Sequence, residues 1–392
     1  MLQLSPRFDN RFATRIYEKG LFNEAEELER AIYEELQAFP HVVPDDEKSY
    51  NRDAHSDARM VALSKHKKWL EKHWSKYSSY FAYPWEINAE AIQPRLELVE
   101  NTKQNALFRI ARLTWSLPYS RGYGRRLDYL VWDDSCNKLM GILGLQSAPI
   151  SLPARDKKFK IPYESKIELI NQTMDAYTLG ALPPYRELLA GKLLVLAAAS
   201  KEVREDYEKR YQGRITEMRG NVLPSSLIAV TTLSAFGRSS LYNRVSKGTD
   251  GKHNIWAAFS LGPCEGWGTF HFSDQLYQKM KAFHKAVWPD KPLSGFGTGP
   301  RIRQQVISSV LRVLRLPEKF ARHNIGREVF IIPHIANLEA VLSGASQEPI
   351  FNDLPFADMA AFWKERYCLP RASVRCSLQG RQTIPADLGL LD

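Results

Sequence analysis

The chain has 392 residues, 44% of them hydrophobic and 11% aromatic, which is enough apolar surface for a full core in two or three domains and excludes an intrinsically disordered protein. Its 54 Lys and Arg against 44 Asp and Glu leave a formal net charge of +10; such a balance draws polyanions, DNA or RNA first, although a merely basic solvated surface has the same composition. The longest strictly apolar stretch, residues 193–199, is far short of the ~20 residues of a membrane span, and the first seven residues carry no apolar secretory core, so no membrane partner and a cytoplasmic location are expected.

Residues 23–39 place Ala25, Leu28, Ile32, Leu36 and Phe39 at helical spacing with glutamates between them, which predicts an amphipathic helix that ends before Pro40. A polar connector is expected over 40–53, followed by a second helix over 56–76. There Met60, Leu63, Leu70 and Trp74 face inward, and Lys65, Lys67, Lys68, Lys72 and Lys76 point largely outward, as a solvated face or a nucleic-acid contact. Beyond Pro84 and Pro94 the apolar runs shorten, and residues 108–119, 127–132 and 138–147 read as strands of a β-meander. A helix over 163–172, a strand over 174–182, a long helix over 186–211 and strands over 227–233 and 255–261 follow. A strand, long helix and strand in that order predict a parallel pair joined by a crossover. Residues 273–287, 302–316 and 353–367 read as helices, and the glycine-rich run 295–299 reads as a turn before one of them. The expected class is α+β: a helical N-terminal region (1–100), a mixed central sheet (101–272) and a mostly helical C-terminal region (273–392).

Cys136, Cys264, Cys368 and Cys376 have no C-x-x-C spacing and no His at zinc-ligand spacing. They read as reduced thiols, and neither a metal nor another cofactor is expected. No G-x-S-x-G, H-E-x-x-H or P-loop string is present. The distinctive strings are Arg155-Asp156, the run 171–184 ending in Leu182-Pro183-Pro184, Leu188-Leu189-Ala190-Gly191-Lys192, and Thr231-Thr232-Leu233-Ser234-Ala235-Phe236-Gly237-Arg238-Ser239-Ser240-Leu241-Tyr242-Asn243-Arg244. Further on come Arg301 to Arg303 and Phe320-Ala321-Arg322-His323-Asn324-Ile325-Gly326-Arg327. Together these strings resemble the DruA family of the Druantia anti-phage systems over roughly residues 105–342. The resemblance implies a component of an antiviral defence system that works with other Druantia subunits, including a helicase-like protein; it supplies no reaction.

The order of elements is also similar to the GNAT acyltransferase core. That likeness implies a pyrophosphate held at the N-terminus of the central helix, here residues 183–191, and an acid role for Tyr242. The glycine-rich signature of that place is replaced by Pro183-Pro184-Tyr185-Arg186-Glu187, and two prolines remove two N–H donors. A GNAT-like enzyme that modifies nucleic acid is therefore the alternative to nucleic-acid recognition.

The residue types themselves point to sites. Gly237-Arg238-Ser239-Ser240 has the composition of a phosphate-binding nest, and Tyr242, Asn243 and Arg244 add a stacking ring, an amide and a second cation. Asp156 and Asp175 stand at element ends as a general base or metal ligand, or simply as structural partners of neighbours such as Arg155. Lys192 reaches a phosphate from a helix side or snorkels. Seven basic residues and one acid between 301 and 327, beginning with Arg301 and Arg303, make a second polyanion surface.

Overall fold

The computed structural model describes residues 10–36, 47–115, 122–216, 219–235, 239–249, 254–265, 268–269, 271–294, 300–322, 326–374 and 390. Arg238, Cys376 and the glycine-rich run 295–299 lie outside them. Within them the strands are β1 (Pro94–Leu98), β2 (Arg126–Asp133), β3 (Lys138–Ser147), β4 (Thr173–Ala181), β5 (Ala229–Leu233), β6 (Ser246–Thr249), β7 (Asn254–Trp256), β8 (Phe259–Pro263) and β9 (Glu328–Pro333). The α-helices are α1 (Asn10–Glu18), α2 (Phe22–Leu36), α3 (Glu47–Tyr77), α4 (Thr102–Leu113), α5 (Pro153–Lys158), α6 (Lys166–Asn171) and α7 (Ala190–Ala198). Then follow α8 (Lys201–Tyr211), α9 (Asp274–Val287), α10 (Pro300–Val313), α11 (Leu338–Leu342), α12 (Phe356–Trp363) and α13 (Leu369–Val374). The expected class holds: the chain is mixed α and β, with helices toward both of its ends and a mixed seven-stranded sheet.

By compactness the chain divides into two units, Met1–Ala54 with Gly266–Ile325, and His55–Glu265 with Gly326–Asp392. The three regions read from the sequence, bounded at 100 and 272, stand as a proposal about folding pieces. The larger unit is built on a seven-stranded sheet of order β1-β2-β3-β4-β5-β9-β8, accompanied by the separate β6–β7 pair. All neighbours in the large sheet are antiparallel except β4 and β5, which run parallel over Thr173↔Ala229 to Ala176↔Thr232. That pair is joined through α7 and α8, the crossover the sequence order predicts.

The sequence of α7 explains its place. Ala190, Leu193, Leu194, Val195, Leu196, Ala197 and Ala198 are apolar around nearly the whole circumference, and all are fully buried. Such a helix needs cover on every side. It packs with Met140, Leu143, Met174 and Ala176 of the sheet and with Phe356, Met359 and Trp363 of α12 in one core cluster. The other face of β2 and β3 packs Leu130, Trp132 and Ile142 against Ile110 and Leu113 of α4 and Leu63 and Leu70 of α3. Toward β5 and β9, Ala229 and Ile331 pack with Phe159 and Ile335 in a smaller cluster.

The smaller unit is helical among the described residues. Ala25, Leu28, Ile32 and Leu36 of α2 pack with Leu276, Met280 and Phe283 of α9 and Val306, Ile307 and Val310 of α10. The Glu35 carboxylate accepts hydrogen bonds from the backbone N–H and the hydroxyl of Ser273, at the start of α9.

Several elements differ from the sequence reading. Residues 108–113, read as a strand, close α4. Asn101 and Gln104 form a reciprocal capping box there, and the contiguous apolar run buries several sides of one helix. Residues 47–53, read as connector, are the first turns of α3. The long helix over 186–211 is broken twice. Leu189 takes a left-handed conformation between a 3₁₀ turn and α7, and Ser200 is extended, with its hydroxyl donating to the Ala197 carbonyl. The short strands β1 and β9 escaped the pattern.

Gly141 of β3 sets how closely the sheet and α7 approach. A Cβ there would lie 2.6 Å from the Gly180 carbonyl oxygen and 2.9 Å from Leu194 Cδ2. A Cβ at Gly191 would meet only the end of the Leu241 side chain, at 2.4 Å. Backbone cannot step aside as a side-chain tip can. Gly141→Ala is therefore expected to lower unfolding free energy by about 2 kcal/mol or more, and Gly191→Ala by clearly less, in urea titrations of the two variants.

Candidate functional site

Strand β4 carries a polar rung through the sheet. Asp175 sits opposite Gln146 of β3 and Thr231 of β5 in the strand register. Its carboxylate accepts from Gln146 Nε2 at 3.0 Å and from Thr231 Oγ1 at 3.0 Å. Burial pushes the Asp175 carboxyl above the usual range, opposed by these two hydrogen bonds and by the charge of Arg155. Tyr123 lies in the same field, and burial together with Asp175 pushes its hydroxyl up. The Gln146 Oε1 and Arg155 Nη1 atoms are buried with no hydrogen-bond partner.

Arg155 is fully buried on α5, and burial lowers its pKa against the opposing charge of Asp156. It donates through Nε and Nη2 to Asp156 Oδ1, at 2.9 and 2.7 Å, and through Nη2 to the Ile150 carbonyl. The second Asp156 oxygen accepts from Lys166 Nζ at 2.7 Å and from the Leu152 N–H at 3.0 Å. Asp156 thus holds the start of α5, Arg155 and α6 together with both oxygens engaged. Asp156 and Asp175 are brought to one neighbourhood through Arg155. Gln146, Thr231 and Tyr123 complete that neighbourhood; the sequence reading missed them because each is an ordinary strand or loop residue until the register is known.

The segment after β5 folds into a turn over 239–244. Leu241 N–H donates to Ser239 Oγ, and Asn243 N–H to the Ser239 carbonyl. Lys192, on α7 beneath it, donates to the carbonyls of Asn243 at 3.0 Å and Ser240 at 3.4 Å, and its ammonium lies 5.3 Å from the Tyr367 ring centre. Burial lowers the Lys192 pKa. Tyr367 was not foreseen: a π-helical turn over Lys364–Cys368 carries it, and its hydroxyl accepts from Ser246 N–H and donates to the Arg244 carbonyl. Ser240, Asn243 and Arg244 face solvent. Tyr242 points the other way: it is 5% exposed, its ring lies 4.9 Å from that of Phe330, and its hydroxyl is 3.4 Å from Thr232 Oγ1. Burial pushes that hydroxyl up to about 12.

In the smaller unit, Arg301 is exposed, whereas Arg303 turns to α9. Arg303 donates to the Asp274 carboxylate at 3.2 Å and the Phe272 carbonyl at 2.7 Å, and its guanidinium stacks 4.3 Å from the Tyr277 ring centre. A groove of about 290 Å³ runs beside Arg301, lined by Lys291, Leu293, Gln304, Gln305, Ser308, Ser309 and Arg312. The described residues contain no cluster of three or more His, Cys, Asp and Glu side chains placed to hold a metal ion, and no helix long and apolar enough to cross a membrane. Cys136, Cys264 and Cys368 form no disulfide among the described residues.

Two outcomes follow for the carboxylates. Asp156→Ala strands a buried guanidinium, and urea unfolding is expected to show a loss of about 3 kcal/mol. For Asp175 the folded chain holds its proton more tightly than the unfolded chain, whose carboxyl titrates near 3.8. The folded state is therefore favoured at low pH and penalised as pH rises through the raised value. Asp175→Asn removes that slope, and the Gln146 amide can turn its unpartnered oxygen to the new NH₂. The melting temperature of the variant should rise relative to the parent between pH 4 and pH 7.

The family model described as "Druantia protein DruA" matches residues 45–344. A relative bearing the name Druantia protein DruA, from Escherichia coli (strain UMEA 4076-1), is 34% identical over 334 residues, which is 84% of this chain and 81% of the relative. No solved structure matches. A family model spanning most of the chain and a relative of this identity agree, and the chain belongs to the Druantia protein DruA family.

Proposed function

We propose that this chain is the nucleic-acid-recognising component of the Druantia anti-phage defence system, and that it acts with partner subunits, among them a helicase-like protein that performs the ATP-driven work. Family membership supports the place in the defence system. The observation that carries the recognition reading is the lysine row on α3. Lys65, Lys68, Lys72 and Lys76 recur at three and four residues, so they fall within about 80° of the helix circumference. All four are solvent-exposed, Lys67 is exposed on another side of the helix, and Glu71 is the one carboxylate of the stretch 65–76. A line of ammonium groups of this length suits a phosphate backbone, where each neutralised phosphate releases a condensed counterion. The exposed Asn243 and Arg244 and the Arg301 groove are further cationic or polar surfaces for the same partner.

A GNAT-like enzyme that modifies nucleic acid is the second reading. It is favoured by the β4–β5 pair, which is parallel for four residues while β4 continues to Ala181 against β3 alone. The residues do not fit the cofactor that this reading needs. Ala190 is fully buried, and a Cβ at Gly191 would lie 2.4 Å from Leu241 Cδ1, so the first turn of α7 is covered by the chain's own side chains. Tyr242 is likewise enclosed in the core.

Binding of the purified protein to single- and double-stranded DNA and RNA across a salt series tests the proposal. The expected result is an affinity whose logarithm falls linearly with that of the salt concentration. Lys68→Glu combined with Lys72→Glu should lower affinity at least tenfold and flatten the slope by about two, with melting temperature unchanged. Absence of binding to all four at low salt would replace recognition with a protein-adaptor role.

A further inference from the structure

Helix α10 is two-faced, like its neighbours α2 and α9, but its polar face carries no carboxylate. Val306, Ile307, Val310, Leu311 and Val313 are buried at 2% exposure or less and fix the helix in the core of the smaller unit. On the side away from that core stand exposed Arg301 and Arg312 with half-buried Gln304 and Ser308 between them, spaced three, four and four residues apart. At 3.6 residues per turn they fall within about 80° of the circumference and extend over about 17 Å of helix. The helix contains no Asp or Glu. Arg303, its remaining cation, is turned aside to Asp274 and Tyr277 and so does not belong to the row. Gln305 borders the row and anchors the adjoining segment: its Oε1 accepts from the N–H and hydroxyl of Ser294, at 3.0 and 3.1 Å. Exposed Lys291, its ammonium 4.9 Å from the Trp288 ring centre, lines the same groove.

Phosphate binding alone would call for cations. This row instead alternates cation, amide, hydroxyl and cation, the side chains that recognise base edges: Arg pairs with guanine O6 and N7, Gln with adenine N6 and N7, and Ser with either. A helix fits the major groove of B-form DNA, about 12 Å wide, whereas the major groove of A-form RNA is too narrow to be read by side chains. We infer that α10 is a recognition helix that lies in the major groove of duplex DNA and reads about five base pairs through Arg301, Gln304, Ser308 and Arg312, with Lys291 on the flanking phosphates. The inference rests on the nucleic-acid reading above and deepens it, from a general polyanion surface to sequence-selective contact with duplex DNA.

The experiment is selection from a random duplex DNA library with the full-length protein, followed by measured affinities for the selected and a scrambled duplex. The parent protein should enrich a motif of about five base pairs and prefer it about tenfold or more. Gln304→Ala combined with Ser308→Ala should remove the preference while affinity for scrambled duplex stays within about threefold. Arg301→Ala, an exposed single change, should relax one end of the motif and serves as a second variant whose fold is not at issue. DNA binding with no motif, an unchanged motif in both variants, or preference for duplex RNA or single strands would overturn the inference and leave the recognition reading standing. Failure to bind any nucleic acid would overturn both.

Discussion

The burial of α7 against the sheet is the constraint on which the larger unit depends. An apolar helix of nine residues is enclosed by strands β3 and β4 on one side and α12 on the other. Enclosure at that depth requires Gly141, where a Cβ would meet the Gly180 carbonyl oxygen and Leu194. It also ties down the start of the helix, where the Trp363 indole donates to the Leu189 carbonyl at 3.0 Å. The parallel join of β4 to β5 follows, because the chain must return over α7 and α8 before it can re-enter the sheet.

That arrangement decides what the polar groups near the sheet can do. Asp156 spends both oxygens on Arg155, Lys166 and the start of α5, and Lys192 props the turn over 239–244 by donating to two of its carbonyls. These two charged groups therefore hold segments in register, since an unpaired buried charge is costly. Buried polar atoms without a partner remain, among them Gln146 Oε1 and Arg155 Nη1 at the rung on Asp175 and Arg204 Nε and His334 Nε2 elsewhere in the unit. Rows of solvent-facing cations lie along α3 and α10, with exposed Arg244 in the turn over 239–244. Chemistry suited to a polyanion is thus found on helix surfaces rather than in a pocket at the sheet.

The sequence made the central pattern legible. The strands at 126–133, 138–147, 173–181 and 229–233 and the crossover between the last two were readable from β-branched and apolar runs, and so were the amphipathic α2 and α9. It misled where one signal has two meanings. The apolar run from Ala106 to Leu113 suits a strand by length, and the capping pair Asn101 and Gln104 decides for a helix. Ser200 interrupts what looks like one continuous helix because its hydroxyl competes for the Ala197 carbonyl. Among the candidate site residues, the link between Asp156 and Asp175 was invisible, since it depends on strand register and on Arg155. The row on α10 was half visible: Arg301 and Arg303 stood out as cations, but only the packing shows that one faces solvent and the other Asp274.

Lysine acetylation footprinting of the full-length protein, with and without duplex DNA, tests the central claim most directly, because it reports each ammonium group separately. The account predicts protection of Lys65, Lys68, Lys72 and Lys76 on α3 and of Lys291 beside α10. Lys192, which already donates to Asn243 and Ser240, should label equally in both states. Identical labelling of the α3 lysines with and without DNA, or protection confined to Lys157 and Lys158 on α5, would contradict it.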